Sequence, residues 1–176
     1  MIDVSSALIL LPVLSPVLIG IATISCFVHR GKILFRQERV GRYGKTFRML
    51  KFRTMIESYD TAGSLLDDEA RTTRFGRFLR NFSLDELPQI GHVITGKMSF
   101  VGPRPLLPEH VSGGTPAESL RHELRPGITG LAQVKGRNDI PFSDRFRYDV
   151  WYVRHVNPGV DSWIVWNTVR VVFRNS

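Results

Sequence analysis

A predominantly apolar run from Ala7 to Val28 most constrains the fold of this chain. About 20 such residues cross a bilayer core, so the run is long enough to span a membrane. No Lys or Arg precedes it, and it is longer than the apolar core of a secretory signal, so we expect no cleaved leader. Basic residues follow at once, which predicts that the rest of the chain lies in the cytoplasm: His29, Arg30, Lys32, Arg36, Arg39 and Arg42.

Two membrane topologies fit this run. A straight helix would be a simple spanning anchor. Pro16, however, removes the amide that would bond to the Pro12 carbonyl and so predicts a bend, while the Ser15 hydroxyl can bond back to a carbonyl one turn earlier. A bent helix can enter and leave by the same face as a re-entrant helix, and the residues alone leave both topologies open. Either way we divide the chain into a membrane segment, 1–29, and a cytoplasmic domain, 30–176.

The rest of the composition bounds the function classes. A chain of 176 residues is long enough for one domain with a real core. Its net charge of +8 points to anionic partners: phosphates, nucleic acid or an anionic membrane surface. The single Cys26 cannot form an intrachain disulfide, and within its apolar run we expect a buried, inert thiol. The five His residues show no zinc-site spacing.

A basic hairpin follows the membrane segment. Residues 33–40 and 47–53 have strand character, and 41–45 between them has turn character. Most of its cations fit a solvated, membrane-facing patch that binds anionic head groups. Lys51 and Arg53 end the hairpin, and we expect them to bind phosphate.

Two adjacent carboxylates, Asp85 and Glu86, stand among arginines. Ser83 and Glu86 have capping-box spacing, so the pair fits an ordinary helix start. Pro88 disagrees with that register, because its missing amide would cost a hydrogen bond inside the helix. Both registers place the pair at a helix N-terminus, whose field we expect to keep Asp85 ionised beside phosphate. There Asp85 is a candidate nucleophile toward phosphorus, and the residues alone leave both readings open.

The remaining segments read as helices and turns. We expect helices at 65–71, 73–80, 117–124, 141–156 and 158–173, and a turn at 125–130 whose amides and Arg125 can hold phosphate. Phe142, Phe146, Val150 and Val153 share one face of the fourth helix. The last helix fits either an interfacial membrane helix or a helix that closes the core. Pro103 and Pro105 stiffen the backbone around Arg104.

Four motifs together resemble the bacterial sugar transferase family, the monotopic phosphoglycosyl transferases. They are Lys51–Met55, Ser83–Gln89, Gly96–Pro105 and Arg125–Gln133, in the family's order, and the resemblance covers essentially the whole chain. The chain looks like the minimal members, which contain the catalytic domain alone. The segment Gly136-Arg137-Asn138 resembles members that act on N-acetylated UDP-sugars, and it adds Arg137 to the expected binding residues.

The resemblance implies a mechanism. Asp85 matches the nucleophile that attacks the β-phosphate of a UDP-sugar, expels UMP and carries the phosphosugar until polyprenol phosphate accepts it. Glu86 matches its partner, which assists proton transfer or orientation, and Arg80 and Arg104 match phosphate-binding positions. Ser15-Pro16 matches the kink of a re-entrant helix. The family's Mg²⁺ is implied near Asp85, as its ligand.

Some positions depart from the family. His92 stands where Asn is usual and Lys97 where Asp is usual, which predicts a different surface after the Asp85–Glu86 helix. Only Met1 and Ile2 precede Asp3, where a Lys/Arg pair is common, so a trimmed N-terminus is one expectation.

We therefore expect a small mixed α/β fold with a re-entrant helix, a β-hairpin and amphipathic interfacial helices, at the bacterial cytoplasmic membrane and facing the cytoplasm. Its expected partners are a UDP-sugar, polyprenol phosphate and membrane lipids, with a homodimer left open and no nucleic acid. The alternative is a non-enzymatic, membrane-tethered module that binds polyanions. That alternative explains the charge but not the paired acids.

Overall fold

The structure, a computed structural model, describes residues 2–111, 115, 119–136 and 140–174. It is a mixed α/β fold, as expected. Its helices and strands, in chain order, are α1 (Ile2–Val28), β1 (Leu34–Val40), β2 (Thr46–Phe52), α2 (Asp68–Arg71), α3 (Arg74–Asn81), α4 (Ile90–Ile94), β3 (Ser99–Val101), β4 (Gly127–Thr129), α5 (Leu131–Gly136), α6 (Phe142–His155) and α7 (Pro158–Arg174). Short 3₁₀ turns lie at Arg42–Gly44, Leu84–Gln89, Pro108–His110 and Leu120–His122.

The predicted hairpin is confirmed. β1 and β2 pair antiparallel from Leu34 opposite Phe52 to Val40 opposite Thr46, around the turn Arg42–Gly44. This register places Lys51 near the open end of the hairpin. His92 of α4 contacts the hairpin directly, because its Nε2 accepts a hydrogen bond from the Leu50 amide at 3.1 Å. His92 is buried, so the expectation that it changes a surface was wrong.

A second sheet corrects the expected turn at 125–130. β4 pairs parallel with β3, Ser99 opposite Gly127 and Val101 opposite Thr129. The Gly102 and Gly127 backbones approach so closely that a Cβ on Gly127 would lie 2.1 Å from the Gly102 amide nitrogen. Only glycine fits there, which explains a strand where turn residues predict a loop.

Helix α1 packs on the rest of the chain along one narrow face. Its inward residues recur every three or four positions: Ala7, Leu11, Leu14, Leu18 and Ile21. Ala7 meets Ile90 and Val93, while Ile21 meets Phe52 and Leu79. Among the described residues it is the one helix long and apolar enough to cross a membrane, judged by length and composition.

The hydrogen bond expected from the Ser15 hydroxyl beside the prolines of α1 is present. The helix runs through Pro12 and Pro16. The Ser15 hydroxyl donates to the Pro12 carbonyl at 2.8 Å, replacing the amide that Pro16 lacks. The expectation that the Cys26 thiol is buried was wrong, because Cys26 is exposed on the outer side of this helix.

Several helix predictions need adjustment. The expected helix at 65–71 forms only at Asp68–Arg71, and that at 117–124 lies partly outside the described residues. In α6 the buried residues are Asp149 and Tyr152, whose side chains form hydrogen bonds with Arg121 and Asp161. Helix α7 closes the core through Ile164, and its other face leaves Trp166 and Phe173 exposed.

Candidate active site

Asp85 and Glu86 lie on the 3₁₀ turn Leu84–Gln89, not at the start of an α-helix. Ser83 adopts a left-handed conformation, with φ 56°, and its side chain forms no capping hydrogen bond, so the capping-box prediction was wrong. Pro88 lies within the 3₁₀ turn, ahead of α4. Asp85 is buried, and the side chain of Glu86 is 14% exposed. The pair is therefore an inward-facing cluster rather than a helix cap.

Two cations from different elements hold Glu86. Lys51 of β2 lies with its Nζ 2.5 Å from Glu86 Oε1 and 3.8 Å from Asp85 Oδ2. Arg104 Nη2 donates to the same Oε1 at 2.9 Å. The carboxylate of Glu86 thus links the hairpin to Arg104, in the segment bracketed by Pro103 and Pro105. Lys51 contacts both acids.

These contacts separate the pKa values of the two acids. Burial raises the pKa of Asp85, and Lys51 opposes that rise. For Glu86, burial would raise the pKa, but Arg104 and Lys51 outweigh it and lower the pKa to about 2. The expectation that a helix start keeps Asp85 ionised was therefore wrong in its cause: the neighbouring cations favour the carboxylate, and burial opposes them.

The backbone around Arg104 is held at four consecutive carbonyl groups. The oxygens of residues 103–106 each accept a hydrogen bond from another part of the chain. The donors, in order, are the Gly127 amide at 3.0 Å, the Arg121 guanidinium at 2.7 Å, the Arg39 guanidinium at 3.2 Å and the Val40 amide at 2.9 Å. The prolines limit the backbone torsions, and these bonds fix where the stiff segment lies.

A buried ion pair lies behind this segment. The Arg121 guanidinium donates to Asp149 Oδ2 of α6 as well as to the Arg104 carbonyl, and each side chain of the pair is 2% exposed. The Arg121 guanidinium also lies 5.0 Å from the centre of the Phe146 ring. Burial raises the pKa of Asp149 to about 6, so it is ionised at neutral pH. Sequence reasoning missed Arg121 and Asp149, because neither lies in a recognisable motif.

A cavity of about 720 Å³ opens beside the acidic pair. Lys51, Arg53, Arg80 and Arg104 all line it together with Asp85 and Glu86, so the structure brings these predicted residues together. Arg80 is anchored by its Nε bond to the Thr54 hydroxyl at 3.0 Å. Arg125 is not among the residues described as lining the cavity, and Arg137 lies outside the described residues.

The expected Mg²⁺ site at Asp85 can be compared with the donor atoms that surround it. Within the described residues no three His, Cys, Asp or Glu side chains gather as a metal-binding group. Mg²⁺ commonly takes one or two carboxylates and completes its shell with phosphate oxygens and water. Asp85 beside a cavity that admits a diphosphate fits that donor set, whereas Glu86 is already engaged by two cations.

Comparison with known proteins shows which family the chain resembles. A family model described as bacterial sugar transferase matches residues 1–175. An uncharacterized sugar transferase, EpsL of Bacillus subtilis (strain 168), is 42% identical over 170 residues, covering 97% of this chain and 84% of EpsL. The exopolysaccharide production protein ExoY of Sinorhizobium fredii (strain NBRC 101917 / NGR234) is 36% identical over 187 residues, 97% of this chain and 83% of ExoY.

A longer relative has a named reaction. The UDP-glucose:undecaprenyl-phosphate glucose-1-phosphate transferase of Klebsiella pneumoniae is 36% identical over 181 residues. The match covers 97% of this chain but only 37% of that relative, so the chain spans little more than a third of its length.

Breaking the buried pair should affect stability and catalysis separately. Asp149→Asn leaves the buried Arg121 guanidinium without the negative charge that it pairs with. We expect this substitution to lower the free energy of unfolding by about 3–5 kcal/mol. In the double variant Arg121→Met/Asp149→Leu we expect most of that stability to return, because apolar replacements of buried ion pairs are often neutral. The catalytic rate of the double variant should nevertheless be below that of the wild type, since the Arg104 carbonyl has lost its Arg121 donor. Thermal unfolding in detergent and transferase turnover measure the two effects, and recovery of both would contradict this positioning role.

Proposed function

The chain belongs to the bacterial sugar transferase family, and we propose that it transfers a sugar phosphate from a UDP-sugar to a polyprenyl phosphate through a covalent intermediate on Asp85. The observation that carries the proposal is the cluster itself: a buried carboxylate 3.8 Å from Lys51, with Arg80 and Arg104 on the same cavity. Cations so placed offset the charge of the diphosphate that an anionic nucleophile must approach. The non-enzymatic polyanion-binding alternative does not account for the transferase family match over residues 1–175.

In the first step an Asp85 carboxylate oxygen attacks the β-phosphorus of the UDP-sugar. The bond from that phosphorus to the oxygen bridging the two phosphates breaks, and UMP leaves with the electron pair. In the second step a phosphate oxygen of the polyprenyl phosphate attacks the same phosphorus and releases the Asp85 carboxylate. The product is a polyprenyl diphosphate sugar, the first lipid-linked intermediate of glycoconjugate or polysaccharide assembly.

Glu86 acts through the cations that it holds. With a pKa of about 2 it stays ionised at neutral pH and has no proton to donate. Its contacts with Lys51 and Arg104 instead favour the orientation role over the proton-transfer role. These two cations, with Arg80 and Arg53, are the proposed diphosphate-binding groups.

Mg²⁺ stays a proposal, with Asp85 and the substrate diphosphate as its ligands. When bound there it would neutralise diphosphate charge. The N-acetylated sugar and the homodimer also stay predictions. The sugar prediction depends on Gly136-Arg137-Asn138, whose last two residues lie outside the described part of the chain.

The packing of α1 supports a re-entrant, monotopic topology at the cytoplasmic membrane, with residues 1–29 as the membrane segment and 30–176 as the catalytic domain. Asp3 in the first turn accepts a hydrogen bond from Ser99 at 2.9 Å, and Ile21 packs on Phe52. Helix α1 has 27 residues and so is about 40 Å long. An upright spanning helix would place its first turn on the far side of the bilayer from a cytoplasmic Ser99.

The covalent intermediate is tested directly. With a labelled UDP-sugar and no polyprenyl phosphate, we expect one phosphosugar adduct on the peptide that contains Asp85, detected by mass spectrometry, and one equivalent of UMP. Asp85→Asn should form no adduct, and Glu86→Gln should form it about 10²-fold more slowly, because its cations lose their anchor. Glu38→Gln, an exposed acid of β1, is the matched control. Full turnover by Asp85→Asn would refute the mechanism.

The pH dependence of adduct formation should report Asp85. The rate requires the carboxylate, so it falls as the pH drops through the pKa of Asp85, which burial raises above its ordinary value. Among the neighbouring cations Lys51 opposes that rise most. In Lys51→Met the fall in rate on the acid side of the pH–rate profile, its acid limb, should therefore move to higher pH. Single-turnover rates suit this measurement, because the diphosphate of a UDP-sugar stays ionised across this range. Lys45→Met, on the exposed hairpin turn, should leave the limb in place, and an unmoved limb in Lys51→Met would contradict the assignment.

Topology is tested by cysteine labelling in a Cys26→Ser background. Ser5 and Arg48 are both exposed, one in the first turns of α1 and one on the hairpin. We expect a membrane-impermeant maleimide to label Ser5→Cys and Arg48→Cys in inside-out vesicles, and neither in intact spheroplasts. Labelling of Ser5→Cys from outside the spheroplast would refute the re-entrant topology.

A further inference from the structure

Beyond Asp85 the cavity continues along a wall made by two short extended segments. They are residues 54–57, which follow β2, and residues 71–73, where α2 passes into α3. The segments pair antiparallel, and the Ile56 amide donates to the Arg71 carbonyl at 2.9 Å. This backbone pairing fixes where the neighbouring side chains lie. We call this part the outer wall, and the side chains that line the cavity there are Ile56, Glu57, Asp68 and Arg71.

The outer wall lies at the mouth of the cavity. The side chains of Glu57 and Asp68 are 54% and 80% exposed. The side chain of Asp85, in contrast, is only 12% exposed. A ligand that extends from Asp85 towards solvent can therefore contact the outer wall.

A row of cations leads from Asp85 to the outer wall. Burial raises the pKa of Asp85, and the cations whose charges oppose that rise are Lys51, Arg80 and Arg104. Arg80 also donates from its Nη1 to the Thr72 hydroxyl at 3.4 Å, on the segment that carries Arg71. Arg71 thus continues the row of cations from Arg80 towards the mouth of the cavity.

Arg71 is fixed at its Nε, and its terminal nitrogens can still bind a ligand. The Nε donates to the Ile56 carbonyl at 3.4 Å, and the side chain is 21% exposed. Its Nη1 lies 3.7 Å from Asp68 Oδ1, which is too far for a hydrogen bond, and an ion pair with so exposed an acid contributes little. A guanidinium held in this way suits a phosphate, which it can bind through two parallel hydrogen bonds.

Glu57 suits a different part of a ligand. Its Oε1 lies 3.5 Å from Arg53 Nη1 and 3.5 Å from Lys32 Nζ. Both contacts are longer than a hydrogen bond of about 2.7–3.2 Å, so the carboxylate can still accept hydrogen bonds. A carboxylate repels phosphate but accepts from hydroxyl groups, and acids that bind ribose hydroxyls recur in nucleotide sites.

We propose that the outer wall binds the UMP half of the UDP-sugar, with Arg71 on the α-phosphate and Glu57 on the ribose hydroxyls. This inference depends on the proposed function and adds where the leaving nucleotide is held. In phosphoryl transfer the attacking and leaving oxygens lie roughly in line, so the UMP half points away from Asp85. In that direction the outer wall offers a half-buried cation and a more exposed acid, matching the order of phosphate and ribose in UMP.

UMP binding tests this site without turnover. In detergent with Mg²⁺, and with neither UDP-sugar nor lipid present, isothermal titration should show about tenfold weaker binding of UMP to Arg71→Met, the change that ~1.4 kcal/mol of lost affinity produces. Arg74→Met, which removes an exposed arginine of α3, should stay within about twofold of wild type. Equal affinity of Arg71→Met and wild type for UMP would overturn the proposal.

The ribose contact is tested with 2′,3′-dideoxy-UMP, which lacks both hydroxyls. Removing an acid from the site favours the binding of both nucleotides, so the informative quantity is the ratio of their affinities. In Glu57→Met we expect the preference for UMP over the dideoxy nucleotide to fall by about fivefold or more. Glu69→Met, which removes an exposed acid of α2, should keep the wild-type preference. An unchanged preference in Glu57→Met would overturn the ribose assignment.

The two half-reactions separate nucleotide binding from the chemistry at Asp85. Arg71→Met should need about tenfold more UDP-sugar to form the adduct at half its maximal rate. Once the labelled adduct is formed and the nucleotide removed, transfer to polyprenyl phosphate should stay within about twofold of wild type, because no nucleotide takes part. An equal fall of both steps would overturn the proposal, since Arg71 would then support the fold or the Asp85 site.

Failure of this inference is distinguishable from failure of the proposed function. UMP binding that is unaffected by Arg71→Met, together with a normal adduct on Asp85, would overturn the inference alone. UMP binding that depends on Arg71 in a chain that forms no adduct on Asp85 would refute the covalent mechanism and support the nucleotide site.

Discussion

The site depends on two ion pairs that Lys51 and Arg104 form with the same Glu86 carboxylate. They join three segments far apart in sequence: the hairpin, the 3₁₀ turn and the segment bracketed by prolines. One cation would already balance the charge of this buried carboxylate, and the second adds a further charged contact that keeps it ionised. Two cations also leave net positive charge beside Asp85, so the arrangement that stabilises Glu86 attracts a diphosphate. Local stability and substrate attraction therefore have the same physical source.

The sequence predicted the parts of this site but not how they connect. Local pattern was sufficient for the hairpin, for the helix at 73–80, and for the Ser15 bond in α1, because each depends on residues close in the chain. The hairpin pattern pointed to Lys51 and Arg53, and motif resemblance added Arg80 and Arg104, all of which line the cavity. The link from Asp149 through Arg121 to the Arg104 carbonyl joins residues up to 45 positions apart, and no periodicity encodes it.

The failed predictions share one cause, namely that tertiary partners override local preference. Ser83 and Glu86 have capping-box spacing, yet Glu86 turns to Lys51 and Arg104 because charge pairing in a buried site outweighs a cap. Asp149 takes a buried position on α6 that hydrophobic spacing does not predict for a charged residue, because its carboxylate pairs there with Arg121. The strand β4 replaces a predicted turn because Gly102 and Gly127 permit a close backbone approach that only a partner strand reveals.

The position of α1 gives the site its two-sided character. Its inward face completes the core at Ile90 and Val93 and reaches the cavity at Leu14, while its outward face is apolar. The same helix therefore anchors the chain and forms a wall of the reaction chamber. In the proposed mechanism a water-soluble nucleotide sugar and a lipid-borne phosphate react in turn with one carboxylate, and neither leaves its own solvent easily. Because α1 lines the cavity beside Asp85 and also carries an exposed apolar face, the proposed site would meet both solvents.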